Sequence, residues 1–320
     1  MSKQKKSQSR SRRLWLDIAI LLILAIILLM PEDRLQQWKE LLIPERTAPA
    51  VQEIPETPVS PRETDSLTVQ VLDAGQADSI LITTGDTAIL IDGGEYASAE
   101  TICDTLRQQR IETLDAVILT HPHSDHYGGL RSVLEKFSAG AFYTVAVPED
   151  QLPTATSYAR LIDTLLEQKI PSKYLAAGDE LTVGQGSIAV LSPAKGARFD
   201  SLNNYSLVLR LTFGSTVFLF TGDAEKQVEE QLLLSGESLA ADVLKVGHHG
   251  STTSSSEAFL AAVSPQIAVI SAGIDNRYGL PKEKILTRLQ ECGATIYRTD
   301  LQGCVTITTN GNEFTVSGAE

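Results

Sequence analysis

The chain has 320 residues, of which 42% are hydrophobic and 21% are charged, and its formal net charge at pH 7 is -13. This apolar content is too high for a disordered chain and is sufficient for a domain with a substantial core. The excess of acidic residues argues against a surface that grips nucleic acid along its whole length, although a local basic groove is still allowed.

The first part of the chain has the composition of a membrane anchor. Six basic residues precede the first acidic residue, and an apolar run over residues 14–30 follows them. Residues 1–13 are therefore predicted to be a basic cytoplasmic head, and residues 14–30 an uncleaved transmembrane signal anchor. A cleaved signal peptide is the alternative, but Pro31 and two acidic residues stand where small residues would be needed. The positive-inside rule places the following domain on the extracytoplasmic face of the cell membrane in a single-pass topology.

A proline-rich stretch separates this anchor from the rest of the chain. Five of the 13 prolines fall within residues 44–61, among glutamate, threonine and serine. Such a composition forms an extended spacer and not a packed core. Residues 31–66 are therefore predicted to be a juxtamembrane segment and linker, and residues 67–320 the folded domain.

The folded domain alternates between short β-branched runs and helical patterns. Strands are predicted in the segments LTVQVLD, DSILITT, TAILIDGG, DAVILT, FYTVAV, SLVLRLTF, TVFLFT, DVLKV, IAVIS, TIYRT and CVTITT. Helices are predicted around residues 97–110, 128–137, 155–169, 224–235, 256–263 and 282–292. Because some strands follow one another directly and others are separated by helices, the pattern indicates a mixed sheet, or two packed sheets, with outer helices.

All the histidines of the chain fall in two clusters, each directly after a predicted strand: His121, His123 and His126, then His248 and His249. Asp223 is placed similarly, three residues beyond the end of the run Val217-Phe-Leu-Phe220. Because polar groups at the carboxyl ends of strands can meet in one crevice at a sheet edge, these side chains are expected to converge.

These residue types suit two divalent cations. His121 and His123 have the spacing to chelate one ion, and Asp125 and His126 can hold a second about 3.5 Å away. Asp223 would bridge the two ions, for which Zn²⁺ is the expected metal and Mn²⁺ the alternative. Paired cations would activate a water molecule for hydrolysis without a protein nucleophile. A polar turn that only caps the following helix is the structural alternative.

The segment HPHSDH at residues 121–126 resembles the HxHxDH signature of the metallo-β-lactamase superfamily, which has an α/β fold with the layers of an αββα sandwich. Flanking segments resemble, in order, the hydrolase domain of the ComEC/Rec2 competence group: LDAGQADS, IDGG, NNYSLVL, FTGD, KVGHHGS and NRYG. The resemblance covers residues 67 to about 316. It implies a metal-dependent hydrolase domain.

The resemblance implies metal ligands at six positions: His121, His123, Asp125, His126, Asp223 and His248. His249 is either the ligand in place of His248 or a nearby proton donor, and it joins Asp125 as a candidate catalytic residue. Four further residues are candidates for contact with the substrate or for support of the ligands from behind: Asn203, Asn204, Asp78 and Asp92. For the two aspartates, and for Asp73, the fixing of turns beneath the site is the favoured role.

Two positions depart from the family pattern. No histidine lies between residues 126 and 223, where the superfamily usually supplies one, and Leu280 precedes Pro281 where the competence group has a histidine. The site of His121 and His123 is therefore expected to bind its metal more weakly, or to be completed by water or an amide.

The favoured function is a membrane-tethered phosphodiesterase or nuclease that cuts DNA, a nucleotide or a phosphodiester polymer of the cell envelope. The first 66 residues are almost neutral, so the acidic charge of the folded domain weakens the case for DNA. Four residues are candidates for a local basic patch beside the site, although solvation of a helix explains the last two equally well: Lys245, Arg277, Lys282 and Lys284. A hydrolase of an amide, lactam, lactone or thioester is one alternative, and a noncatalytic metal-binding module is another. No protein partner is predicted.

Overall fold

The structure is a computed structural model that describes residues 66–318. The predicted basic head, the predicted membrane anchor over residues 14–30 and nearly all of the predicted linker lie outside the described residues. Within residues 66–318, every helix is too short or too polar to cross a bilayer.

Seventeen strands lie within residues 66–318. They are β1 (Leu67–Val71), β2 (Ile80–Thr84), β3 (Thr87–Ile91), β4 (Thr113–Leu114), β5 (Ala116–Leu119), β6 (Ser138–Ala139), β7 (Phe142–Val145), β8 (Ser172–Leu175), β9 (Glu180–Val183), β10 (Gly186–Ser192), β11 (Val208–Phe213), β12 (Thr216–Phe220), β13 (Val243–Lys245), β14 (Ile267–Ile270), β15 (Thr295–Arg298), β16 (Val305–Thr309) and β17 (Phe314–Gly318). The α-helices of this region are α1 (Ala99–Gln108), α2 (Ser124–Tyr127), α3 (Leu130–Lys136), α4 (Thr156–Glu167), α5 (Lys226–Ser235), α6 (Glu257–Val263), α7 (Glu283–Glu291) and α8 (Thr299–Gln302).

These strands form two large sheets of mixed direction. The first sheet has the order β17-β16-β1-β2-β3-β5-β7-β8, and the second has the order β15-β14-β13-β12-β11-β10-β9. Strands β3, β5, β7 and β8 run parallel, as do β12 to β15, whereas the remaining neighbours in the two sheets pair antiparallel. The short strands β4 and β6 pair separately.

Helices cover the outer faces of both sheets. Along β2 and β3, Ile82 and Ile89 belong to the core shared by the two sheets, whereas Leu81 and Leu90 belong to a second core with residues of α1, α3 and α4. Helices α5, α6 and α7 contribute buried residues to the larger core that includes the second sheet. Because both faces of the central strands are covered, these strands read as continuous apolar runs. The fold is an α/β sandwich with the layer order αββα, which confirms the expected architecture.

The helix predicted around residues 128–137 begins two residues later, at Leu130, because two glycines separate it from α2. Helix α2 ends and α3 begins on either side of Gly128 and Gly129, which pack against the loop after β3. A Cβ on Gly129 would lie 2.2 Å from the carbonyl oxygen of Gly93, closer than atoms can approach. The amide of Gly93 in turn donates a hydrogen bond of 2.7 Å to the carbonyl of His126. This close backbone contact fixes the loop that carries the first histidine cluster.

We expect Gly129→Ala to lower the free energy of unfolding by about 1–3 kcal/mol, because the new methyl group must displace the backbone at Gly93. Denaturant unfolding of the purified chain measures this loss. Gly236→Ala is the control: its φ is 80°, but a Cβ there would meet no atom within 4 Å, so only backbone strain of about 1 kcal/mol applies. Equal losses in the two variants would contradict the steric explanation.

Six strands have no counterpart among the predicted segments: the two-residue strands β4 and β6, and the longer strands β8, β9, β10 and β17. Three of them, β8, β9 and β17, are edge strands of the two large sheets. Most of their residues are exposed or half-buried, so they lack the apolar run that marks a central strand. The other predicted strands are confirmed, with small differences at their ends.

Candidate metal centre

Three junctions between a strand and its following loop bring the predicted ligands together. The loop after β5 carries His121, the turn after β12 carries Asp223, and the turn after β13 carries His248 and His249. Strands β12 and β13 are parallel neighbours in the second sheet, whereas β5 lies in the first sheet. Both sheets therefore contribute to one site at an edge of the sandwich.

Four side chains form the tightest cluster, called here the Asp125 group: Asp125, His126, Asp223 and His249. Their ligand atoms all lie within 4.8 Å of one another. The Nε2 atom of His249 is 3.6 Å from Oδ2 of Asp125 and 3.7 Å from Oδ1 of Asp223. The Nε2 atom of His126 is 3.4 Å from Oδ2 of Asp223. This geometry can hold one divalent cation.

Three atoms of the Asp125 group show that these residues fit a metal. Nε2 of His126, Oδ1 of Asp223 and Nε2 of His249 are buried, and none has a hydrogen-bond partner. A buried polar atom without a partner costs about 1–3 kcal/mol, so three such atoms that face one another indicate a missing ligand. Imidazole nitrogens and carboxylate oxygens are donors that Zn²⁺ and Mn²⁺ accept.

A second set of nitrogens also lies close to Asp223. Nε2 of His121 and Nδ1 of His123 are 2.9 Å apart, and we call these two residues the His121 pair. Nε2 of His121 is 4.0 Å from Oδ2 of Asp223, and Nε2 of His248 is 3.8 Å from the same oxygen. Asp223 is therefore within reach of the His121 pair as well as of the other members of the Asp125 group, as a bridging carboxylate would be.

The two histidine sets have different electrostatic surroundings. Burial lowers the pKa of His121 well below its usual value and also lowers the pKa of His123, which favours the neutral imidazole that binds metals. Burial would likewise lower the pKa of His126, but the carboxylates of Asp223 and Asp92 raise it well above its usual value. Because a metal ion binds the deprotonated nitrogen, this raised pKa means that a cation at His126 competes with a proton.

Asp92 orients the imidazole ring of His126 through a contact with its Nδ1 atom. Its carboxylate accepts hydrogen bonds from the amide (2.8 Å) and the hydroxyl (2.7 Å) of Thr120, and Nδ1 of His126 lies 2.8 Å from it. With Nδ1–H donating to Asp92, the other ring nitrogen faces Asp223 and is available as a ligand. Asp92 is thus fixed by the loop after β5 and orients a residue of that same loop.

Asp78 is paired with Lys245, so the candidate role of Lys245 in a basic patch at the surface is wrong. Lys245, which was considered for a surface patch, is only 1% exposed, and its Nζ atom lies 2.9 Å from the Asp78 carboxylate. Oδ1 of Asp78 is also 3.4 Å from Nδ1 of His249, a nitrogen that lies 3.1 Å from the carbonyl oxygen of Ser271. Lys245 is therefore a buried counter-charge beneath the site and cannot contact a polyanion at the surface.

Of the remaining residues that the sequence indicates as site candidates, one faces the site and the others stabilise turns near it. Asn204 accepts a hydrogen bond of 3.0 Å from the amide of Glu225 and so fixes the turn after Asp223. Asn203 donates to the carboxylate of Glu225 at 3.2 Å and lies 3.5 Å from Nδ1 of His248, so it faces the site. Asp73 is exposed and accepts a hydrogen bond of 3.3 Å from an amide two residues later, as a turn residue does.

Sequence reasoning missed the residues that support the ligands from neighbouring loops. The hydroxyl of Ser206 accepts a hydrogen bond of 3.0 Å from the amide of Asp223 and lies 3.2 Å from Nδ1 of His121. Thr120 and Glu225 have comparable supporting contacts. Single hydroxyl and carboxyl residues in loops carry no pattern that marks them, so only the spatial arrangement reveals these roles. Leu280 stands where the competence group has a histidine. Among these contacts of the described residues, no other side chain takes the place of that histidine.

Comparison with known proteins identifies relatives of the domain. The model of the metallo-beta-lactamase superfamily matches residues 72–274. Competence protein ComA of Neisseria gonorrhoeae is 32% identical over 88% of this chain and 37% of its own length. ComE operon protein 3 of Bacillus subtilis is 32% identical over 74% of this chain and 32% of its own length. The chain thus spans about a third of the length of these relatives.

Solved structures show the same fold at low sequence identity. The metallo-beta-lactamase fold protein YhfI from Bacillus subtilis has a TM-score of 0.51 and 15% identity, and the match covers 77% of this chain and 100% of that chain. The CmlA beta-hydroxylase E377D mutant has a TM-score of 0.50 and 13% identity, over 77% of this chain and 54% of that chain. The family match and the αββα architecture agree, so the chain belongs to the metallo-β-lactamase superfamily and is related to the ComEC/Rec2 group of competence proteins.

Proposed function

We propose that the chain is a metal-dependent phosphodiesterase or nuclease, tethered to the cell membrane by residues 14–30 with its catalytic domain outside the cytoplasm. The observation that carries the proposal is the set of unpaired, buried ligand atoms in the Asp125 group, with the His121 pair beside it. The relatives named as competence proteins support a substrate with phosphodiester bonds. Paired metal ions also suit in-line displacement at phosphorus.

Some residues of the site would bind the metal ions, and others orient the residues that bind them. Asp125, His126 and His249 would hold one divalent cation, Zn²⁺ or Mn²⁺, and the His121 pair a second, with Asp223 between them. When bound, such cations lower the pKa of a water molecule towards neutrality and offset negative charge on the substrate. The chain's own part is to hold the donor atoms in place. Asp92 does this for His126.

One side of the site is open to a substrate. His123, Asp125 and His248 are partly exposed, whereas His126 and Asp223 are buried behind them. A substrate would therefore approach from the side of the partly exposed residues. The acidic charge of the domain favours a nucleotide or a cell-envelope phosphodiester over duplex DNA, because duplex binding depends on neutralisation of many phosphates.

The purified full-length chain, kept in detergent, tests the proposal with bis-p-nitrophenyl phosphate and the lactam nitrocefin as parallel substrates. We expect cleavage of the phosphodiester, its loss after treatment with a chelator, and its return when Zn²⁺ or Mn²⁺ is added. Cleavage of nitrocefin alone would favour the alternative of an amide, lactam, lactone or thioester hydrolase. Bound metal without either activity would indicate a noncatalytic module.

A further inference from the structure

The loop between β14 and α7 exposes large side chains next to the metal centre. Ile274 is 73% exposed and Tyr278 is 52% exposed. Arg277 and Lys282, two candidates for the basic patch, are exposed on the same loop. Between residues 274 and 282, Asp275 is the one acidic residue of the sequence. This loop therefore brings apolar surface and positive charge together in a domain that is acidic as a whole.

Both ends of this loop pack against the turn that carries His249. Where the loop begins, the carbonyl oxygen of Ser271 lies 3.1 Å from Nδ1 of His249. Where it ends, Pro281 packs on Gly250, because a Cβ on Gly250 would lie 2.5 Å from the Cβ of Pro281. Tyr278 is three residues before Pro281, so their Cα atoms are at most about 11 Å apart. The loop therefore stands at the edge of the metal centre, within reach of a substrate bound there.

Asn276 holds the loop in a closed shape. Its side-chain amide donates hydrogen bonds to the carbonyls of Gly273 (2.9 Å) and Leu280 (2.6 Å), and its side-chain oxygen accepts one of 3.0 Å from the amide of Leu280. The amide of Gly273 also donates a hydrogen bond of 3.1 Å to the side chain of Gln76, in the loop after β1. A loop that is held in this way loses less conformational entropy when a ligand binds to it.

Arg277 and Tyr278 form a stacked pair on this loop. The guanidinium carbon of Arg277 is 4.8 Å from the centre of the Tyr278 ring, and Nη2 donates a hydrogen bond of 2.6 Å to the tyrosine hydroxyl. Half of the tyrosine is still exposed. Nucleobases stack on aromatic rings and on guanidinium planes, and guanidinium groups also bind phosphate. The pair therefore has the chemistry that a nucleotide needs.

We propose that Arg277 and Tyr278, called here the platform, select substrates that carry a nucleobase next to the scissile phosphate. This proposal rests on the proposed phosphodiesterase function and assigns its specificity to two residues outside the metal centre. Tyr278 stacks on the base, and Arg277 binds a neighbouring phosphate. A cell-envelope phosphodiester without a planar ring would gain no stacking from the platform.

Two chromogenic phosphodiesters with the same leaving group test the role of Tyr278: the p-nitrophenyl ester of thymidylate and methyl p-nitrophenyl phosphate. Only the first carries a nucleobase, so the ratio of their kcat/KM values measures the preference for a base. We expect Tyr278→Ala in the purified full-length chain to lower this ratio about tenfold or more, mainly through KM for the thymidylate ester. Tyr278→Phe should keep the ratio, because a phenyl ring also stacks on a base.

Tyr174→Ala is the matched control. Tyr174 is 66% exposed on β8 and lies outside the loops of the metal centre, so its replacement should keep the ratio of the unaltered chain. Circular dichroism checks that each variant is folded. An unchanged ratio in Tyr278→Ala would overturn the proposal. Equal losses on both esters would also overturn it, because Tyr278 would then support the site without recognising the base.

The role of Arg277 is tested by the salt dependence of binding. For a short oligothymidylate, we expect Arg277→Gln to raise KM and to reduce the slope of log KM against log salt by about 0.7, the value for one phosphate contact on a single strand. Lys169→Gln is the control, since Lys169 is exposed and lies outside the site. An unchanged slope in Arg277→Gln would show that Arg277 binds no phosphate.

Calorimetric titration of the metal-loaded chain with thymidylate separates this proposal from the proposed function. If the unaltered chain cleaved neither ester, the phosphodiesterase function would fail. About tenfold weaker binding of thymidylate by Tyr278→Ala would still support the platform. Equal binding by the unaltered chain and this variant, or no binding by either, would overturn it.

Discussion

Asp223→Asn is expected to lower the rate of hydrolysis by about a thousandfold or more, a larger loss than for any other single carboxylate of the site. The Asp223 carboxylate lies near nitrogens of both histidine sets, because its Oδ2 is 3.4 Å from Nε2 of His126 and 4.0 Å from Nε2 of His121. An amide has the same shape but no negative charge, so it would weaken both metal sites at once. Steady-state cleavage of bis-p-nitrophenyl phosphate measures the effect.

The control for this variant is Asp104→Asn. Asp104 is an exposed carboxylate on α1 that pairs with Arg107, and it takes no part in the site. Its replacement should leave the rate unchanged, which separates loss of a site carboxylate from loss of surface charge. If Asp223→Asn retained the rate of the unaltered chain and its full metal content, the bridging position of Asp223 would be wrong.

Lys245→Met is expected to lower the free energy of unfolding by about 3–5 kcal/mol, because it leaves the Asp78 carboxylate buried without its counter-charge. Asp78 and Lys245 are each 1% exposed, so water cannot take the place of the ammonium group. Methionine preserves most of the volume of lysine, and the loss therefore reports the charge and not a cavity. Denaturant unfolding measures it.

The variant that combines Asp78→Asn with Lys245→Met is the internal comparison. It removes both charges, so we expect it to be more stable than Lys245→Met alone, although it has lost one more native side chain. If the combined variant were as unstable as the single one, or less stable, the uncompensated carboxylate would not be the cause of the loss.

Local sequence determined the positions of most central elements. The runs of β2, β3, β5 and β12 are apolar because the sandwich covers both faces of these strands, so each is visible without knowledge of its partners. The two histidine clusters and Asp223 could be predicted as site residues for a related reason. Each directly follows such a run, and the ends of neighbouring strands meet at one edge. The resemblance to a known family supplied the order of the layers.

Elements with little apolar character could not be found in this way. The edge strands β8, β9 and β17 expose many of their side chains, and their strand conformation depends on pairing with a neighbour that is distant in the sequence. The break between α2 and α3 likewise depends on contact with Gly93, because two adjacent glycines do not by themselves specify where a helix stops.

The local sequence identifies which residue types surround the site, whereas contacts between distant segments set which groups each side chain faces. The charge of Lys245 makes it a candidate for a basic patch beside the site, but the packing of β13 buries it against Asp78. The sequence left His248 and His249 as alternatives, whereas their left-handed backbone directs the two rings to opposite oxygens of Asp223. Burial and backbone conformation at such positions arise from contacts between distant segments, and for that reason no local pattern encodes them.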